Sequence, residues 1–171
     1  MKLCVIIGCK KDKTILELIS SKLCSKFSLT LLSDGKIERR GTGEELIVFQ
    51  TKSFVQDYSG PLVIILNEDY KKGGLKGQFP EAVCIISSSC KAAIADMSEL
   101  KIPTFTCGMR ETDALCASSV TQEGIMVCLQ REIETVSGKK VEPFEAYIKE
   151  VGPGAVFAAE AAMLADILLS D

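Results

Sequence analysis

The chain has 171 residues, 47% of them hydrophobic, with 20 Lys and Arg set against 23 Asp and Glu and a formal net charge of −3. That length supports one domain that buries on the order of 70% of its unfolded surface, and the apolar share excludes a disordered chain. The basic residues are scattered among the acidic ones, which excludes the basic face of a nucleic-acid binder, and no apolar run approaches a membrane-spanning length.

The elements alternate in chain order. Residues 3–7 form a continuous apolar run, the pattern of a buried parallel strand. Ile15, Leu16, Ile19 and Leu23 follow at helical spacing and predict a helix from about Lys13 to Lys26. Ser28–Ser33 and Glu45–Gln50 read as strands with Asp34-Gly35 as the turn signal between them, and Gly41-Thr42-Gly43 marks a second turn. Thr51–Tyr58 reads as a short helix. Gly60-Pro61 breaks the chain before Leu62–Leu66, another buried strand, and Gly73-Gly74 and Gly77 mark a loop.

The second half continues the pattern. Ala82–Ile86 is a strand, Ser89–Leu100 a helix, and Pro103–Cys107 a strand ending at Gly108. Asp113 and Ser118 are expected to organise a turn. Ile125–Gln130 and Val141–Ile148 read as strands of an antiparallel meander with Ser137-Gly138 turning between them. Gly152-Pro153-Gly154 then precedes an Ala- and Leu-rich core helix, Ala155–Leu169. Strands alternating with helices predict a three-layer α/β fold in a single domain, 1–171. Its sheet is expected to be mainly parallel, with a small antiparallel segment near the C-terminus.

Histidine is absent, which removes the commonest general base and metal ligand and excludes a Ser-His or Cys-His nucleophile within the chain. The eight cysteines, Cys4, Cys9, Cys24, Cys84, Cys90, Cys107, Cys116 and Cys128, form no CxxC pair. Several lie in apolar runs, so they are expected to pack as small hydrophobes. Charges return at positions 10–13 before any secretory apolar segment of sufficient length, which predicts a cytoplasmic protein, where disulfides are rare.

The first strand–loop–helix carries the functional signal. Gly8-Cys9-Lys10-Lys11-Asp12-Lys13-Thr14 has the layout of a phosphate-binding loop with one part changed. Such a loop has Gly directly before the Lys so that backbone N–H groups close around the phosphates. Here Asp12 stands there, and its carboxylate would repel a phosphate. Two readings stand side by side. In one, Gly8, Lys11, Asp12, Lys13 and Thr14, with Asn67, line an altered nucleotide site, Lys13 acting as a point charge and Thr14 as a Mg²⁺ ligand. In the other, Asp12 or Thr14 caps the helix. Asn67, Glu68 and Asp69 follow a buried strand at its C-terminal end, where open α/β sheets bind ligands. They read either as a weak cation site or as a polar loop.

Several segments together resemble, in order along most of the chain, the central ATP-binding domain of the Mur ligase family. These are ATP-dependent peptide-bond-forming enzymes of peptidoglycan synthesis, akin to folylpolyglutamate synthase. Gly8–Thr14 and its helix sit where the family has its GTNGKTT loop, and Ser33-Asp34-Gly35 fits the hairpin that follows. Phe49-Gln50-Thr51-Lys52-Ser53-Phe54 resembles the strand-end EvSS motif. Ile65-Leu66-Asn67-Glu68-Asp69-Tyr70 resembles the TNi–DH motif. Thr106-Cys107-Gly108-Met109 with Asp113, Ala117 and Ser118 resembles the later strand ending in Gly and followed by Asp-x-x-Ala. Phe157–Ala162 resembles the Ala-rich closing helix.

The resemblance implies ATP and Mg²⁺ as cofactors, with Thr14, Gln50 and Asp69 on the metal, and the departures weaken each implication. Asp12 replaces the loop Gly. Gln50 replaces a Mg²⁺-binding Glu, and a neutral amide is a poorer ligand for a hard dication. Tyr70 replaces the metal-site His. The family's N-terminal substrate domain and C-terminal domain are not in the sequence, and the stretch between Tyr58 and Leu62 is short. The expected function is therefore a non-catalytic Mur ligase-like domain with a degenerate nucleotide-binding site and no cofactor. It would act as a binding or interaction module toward a protein partner or small molecule, with oligomerisation open. The alternative is an ATP-binding subunit of an ATP-dependent amide-bond-forming ligase completed by partner chains. A third reading is a small-molecule binder at the sheet's C-terminal edge.

Overall fold

The computed structural model of the chain describes residues 1–9, 11–149 and 151–170. The elements run β1 (Lys2–Ile7), α1 (Thr14–Leu23), β2 (Phe27–Ser33), β3 (Lys36–Arg40), β4 (Glu44–Thr51), β5 (Phe54–Val55) and β6 (Leu62–Leu66). They continue with β7 (Leu75–Lys76), β8 (Ala82–Ser87), α2 (Lys91–Leu100), β9 (Thr104–Gly108), β10 (Leu115–Val120) and β11 (Gly124–Leu129). Last come β12 (Ile133–Glu134), β13 (Lys140–Val141), β14 (Phe144–Lys149), a 3-10 turn over Pro153–Ala155 and α3 (Val156–Leu169).

Ten of these strands make one sheet in the order β14-β11-β10-β9-β8-β6-β1-β4-β2-β3. Strands β2, β4, β1, β6, β8, β9 and β10 run parallel, neighbour to neighbour. β3 closes one edge antiparallel to β2, and β11 and β14 continue the other edge antiparallel from β10. The four runs read from sequence as buried strands are adjacent, as β9-β8-β6-β1. Every residue of β1 and β6 is buried. That is why their sequences are continuously apolar rather than alternating, since both faces of a parallel sheet are covered.

Helices α1 and α3 cover one face. There Ile19 and Leu23 of α1 and Leu164 and Leu168 of α3 meet Ile6, Leu46, Val63 and Ile65 of the sheet. On the other face α2 and the segment between β4 and β8 cover Val5, Ile7, Ile64 and Leu66 with Phe54, Phe79, Ala93 and Met97. The fold is thus the three-layer α/β arrangement with a mainly parallel sheet and a small antiparallel extension.

Four local expectations are corrected. Thr51–Tyr58 is not a helix: β5 pairs parallel with β7, because the side chains of 54–55 alternate between core and solvent. Asp34-Gly35 does turn the chain, with φ of 51° and 74° at the two residues, as a two-residue hairpin requires. Its second strand is β3, however, not Glu45–Gln50, which returns as β4 parallel to β2. β3 is not legible in the sequence because Lys36, Glu38, Arg39 and Arg40 give an edge strand with no buried face. Ser118 lies in β10 rather than in a turn, while Asp113 does organise one. The run 141–148 is divided into β13 and β14, with Pro143, which has no N–H for a ladder, between them.

Candidate functional site

The sheet's topology fixes where a ligand crevice forms. β1 leads through α1 to β2 on one side, whereas the adjacent β6 leads to β8 on the other. Connections leaving in opposite directions open a crevice at the carboxyl ends of these two strands. The residues there are Gly8 and Cys9 after β1, Thr51 and Lys52 at the end of β4, and Asn67 to Lys71 after β6. Their backbone is tied together: Gly8 N–H donates to Thr51 C=O at 3.0 Å and Asn67 N–H to Ile7 C=O at 2.9 Å. A Cβ on Gly8 would sit 2.5 Å from Asp69 Oδ1 and 2.6 Å from Asn67 Cβ, so only glycine lets the two strand ends close. A cavity of about 280 Å³ remains, lined by Gly8, Cys9, Lys52, Asp69, Tyr70 and Lys71.

The loop before α1 is occupied by its own side chain. The Asp12 carboxylate accepts the Thr14 N–H at 3.0 Å on Oδ1 and the Asn67 side-chain amide at 3.3 Å on Oδ2. The Thr14 contacts, with a smaller one from Asn67, hold its carboxyl below the ordinary value of 3.8. Asp12 thereby places a negative charge at the N-terminus of α1, the place where that helix would attract an anion. Lys13 turns away: its Nζ lies 3.5 Å from Asp34 Oδ2 at the β2–β3 turn, and it lines a groove between α1 and the hairpin rather than the switch-point cavity. Lys11 is exposed to solvent.

Gln50, only 2% exposed, fastens the loop from below. Its amide Nε2 donates to Cys9 C=O at 3.0 Å and also to Asp12 C=O, while its Oε1 accepts the Ser33 hydroxyl at 3.4 Å. Two carbonyls facing one side chain require a double donor, which Gln has and Glu lacks. Tyr70 lines the switch-point cavity but turns its hydroxyl away from it. It is buried in the core beneath α2, where its hydroxyl donates to the Asp96 carboxylate and accepts Leu75 N–H at 2.9 Å. Burial first, and then Asp96, push its phenol above the ordinary value.

The structure thus brings Gly8, Asp12, Thr14, Gln50, Asn67 and Asp69 to one edge of the sheet, directs Lys11 and Lys13 elsewhere, and leaves Tyr70 against the switch-point cavity with its hydroxyl engaged at Asp96. Among the described residues no three acidic or cysteine side chains gather as a metal-binding group. All eight cysteines are free thiols, and burial alone pushes Cys4 up to about 12. Sequence reasoning misses Glu160 in α3, which is fully buried with neither carboxylate oxygen hydrogen-bonded. Its one signal in the chain is a lone charge inside Ala158-Ala159-Glu160-Ala161-Ala162.

A mainly parallel sheet entered through a P-loop-like unit and extended by antiparallel strands defines a Mur ligase-like fold. A murein peptide ligase from Psychrobacter arcticus 273-4 matches 99% of this chain with a TM-score of 0.61 at 10% sequence identity. A UDP-N-acetylmuramoyl-L-alanyl-D-glutamate–2,6-diaminopimelate ligase matches 96% of the chain with a TM-score of 0.57 at 11% identity. The chain spans 44% and 42% of those two proteins, less than half of each. No family model and no curated protein matches its sequence. At such identities the likeness is one of fold.

Proposed function

We propose that this chain is a non-catalytic Mur ligase-like module whose phosphate loop is held closed by its own side chains, and that it acts by binding rather than by turning over ATP. The observation that carries this reading is the Asp12 carboxylate seated on the Thr14 N–H and the Asn67 amide. An incoming phosphate would have to displace a covalently tethered anion and would meet its charge. Lys13, the cation best placed to compensate, is paired with Asp34.

The Mg²⁺ that the fold implies does not suit these donors. Mg²⁺ requires near-octahedral oxygen ligands. Gln50 turns its nitrogen toward the loop and spends its oxygen on Ser33, and Tyr70 spends its hydroxyl on Asp96 and Leu75. Phosphoryl transfer depends on charge positioned around the phosphates, and side chains engaged in this way do not supply it. Binding of a protein partner or a small molecule, in the cytoplasm, is the activity left to such a module.

The second reading, an ATP-binding subunit completed by other chains, draws on the Mur ligase-like fold and on the Lys52 and Lys71 rim of the switch-point cavity. Calorimetry of the purified chain with ATP and Mg²⁺ separates the two. No heat at millimolar nucleotide and no phosphate release support the closed module. Tight ATP binding, or steady Mg²⁺-dependent phosphate release abolished by Lys13→Ala, overturns it in favour of the ligase subunit.

A further inference from the structure

A second cleft lies two strands away from the switch point, on the α2 face of the sheet at the ends of β8 and β9. Its volume is about 530 Å³, within the range of small-molecule sites. No residue of the Asp12 loop lines it. One wall is apolar, made by Ile86 of β8 and by Ile94 and Met97 of α2. The polar lining includes Ser88, Thr106, Arg110 and Arg131.

The polar wall is built rather than loose. Arg110 and Arg131 belong to different loops, and both loops are fastened at Ala114. Ala114 N–H donates to Thr106 C=O at 2.8 Å, and Gln130 N–H donates to Ala114 C=O at 3.0 Å. The buried Asp113 carboxylate ties the first loop by accepting the Ser88 hydroxyl at 3.1 Å and Arg110 N–H at 3.0 Å on one oxygen. A Cβ on Gly108 would lie 2.5 Å from Ser88 Oγ and 2.6 Å from Asp113 Oδ2, so glycine is needed for this packing. Asp113 is the sole acidic residue among the described lining residues, and no carboxylate among the described residues pairs with either guanidinium. The cleft therefore carries two guanidinium groups against one carboxylate whose charge is already engaged by donors.

We infer that this cleft binds a small amphiphilic anion, with its apolar or aromatic body against Ile86, Ile94 and Met97 and its phosphate or carboxylate between Arg110 and Arg131. Guanidinium groups present planar paired donors that match either oxyanion. The neighbouring Thr106 hydroxyl supplies a further donor without adding charge, and the apolar residues reward a ligand body that inorganic phosphate lacks.

The test uses the intact chain and 1-naphthyl phosphate as the probe, followed by calorimetry and by backbone amide NMR. 1-Naphthoate separates a carboxylate from a phosphate preference, and 1-naphthol and inorganic phosphate supply the two halves of the ligand alone. The expected result is submillimolar binding of at least one amphiphilic anion, with shifts centred on Thr106, Arg110 and Thr112. Arg110→Gln with Arg131→Gln should weaken it by about tenfold or more, as should removing either half of the probe. Both arginines are exposed, so the double variant should fold with the parent's melting behaviour. Asp12→Gly should leave the affinity unchanged, which distinguishes this cleft from the phosphate loop. Unchanged affinity in the double arginine variant, shifts confined to another surface, or no binding at several millimolar of either probe would overturn the assignment.

Discussion

Asp12 and Thr14 are joined by a carboxylate-to-amide hydrogen bond of 3.0 Å at the first turn of α1. Neither residue is the expected helix cap: Lys13 holds the N-cap position without a side-chain capping bond and Thr14 is the first helical residue, so the Asp12 carboxylate, one residue earlier, holds the first helical N–H and occupies the place of an anion. Asp12→Gly should therefore expose the N–H and remove the repelling charge. Phosphate or nucleotide binding should improve, and the gain should shrink as salt rises. The stability cost should be about 0.5–1.5 kcal/mol, the net value of the one hydrogen bond lost. Calorimetry at two ionic strengths with a urea melt reads both effects. A folded variant with no gain in anion binding would mean that Gln50 keeps the loop closed without Asp12.

Gln50→Glu restores the acidic residue expected of the fold but faces it with the carbonyls of Cys9 and Asp12. A buried carboxylate against two acceptors should cost about 2–3 kcal/mol. The loss should be smaller at pH 5 than at pH 8, because the protonated acid can donate one hydrogen bond. Urea melts at the two pH values measure it, and a variant as stable as the parent at pH 8 would show that the loop relaxes away from residue 50.

Tyr70→Phe removes the donor to Asp96 and the acceptor of Leu75 N–H. Asp96 is buried and retains Gly73 N–H at 2.7 Å, so its carboxylate stays partly satisfied. The expected loss is about 1–3 kcal/mol. Tyr70→His should also destabilise without creating Mg²⁺ affinity, since it removes the hydroxyl bonded at Asp96 and Leu75 and adds one neutral nitrogen ligand to a site with no grouped acidic donors among the described residues. Equilibrium unfolding and Mg²⁺ titration by calorimetry check the pair.

Glu160 should make stability depend on pH. Burial, then the Asp113 charge, push its carboxyl from 4.5 to about 8, while the N–H groups of Ala117 and Gly108 pull the other way without completing a hydrogen bond. The folded state then holds a proton that the unfolded chain releases. The stability contributed by the neutral acid is fully present below about pH 4.5 and falls as pH rises, with the loss complete above about pH 8. The change is on the order of 5 kcal/mol across that window. Glu160→Gln should flatten the curve, as read from urea midpoints between pH 5 and 9. A variant as pH-dependent as the parent would place the titration on another group.

The sequence by itself determined the layers and the centre of the sheet. Residues 3–7, 62–66 and 82–86 are apolar without alternation, and only a strand covered on both faces tolerates that composition. It also located the loop of interest, because Gly8, Asp12 and Thr14 are local neighbours whose spacing is visible in one dimension. Two strands were not legible: the edge strand β3 buries nothing, and β10, inside the sheet, ends in the exposed Ser118 and Ser119, so neither shows a hydrophobic period. The roles of side chains were decided by tertiary structure. Gln50 becomes a staple because β4 ends beside the loop thirty-eight residues earlier, and Tyr70 becomes a core residue because α2 brings Asp96 to it. Arg110 and Arg131 share a cleft only because β10 and β11 fold back on β9. Residue type fixes what each of these groups can donate, accept or repel, but the partner that uses that capacity comes from long-range packing, which leaves no periodic trace in the chain.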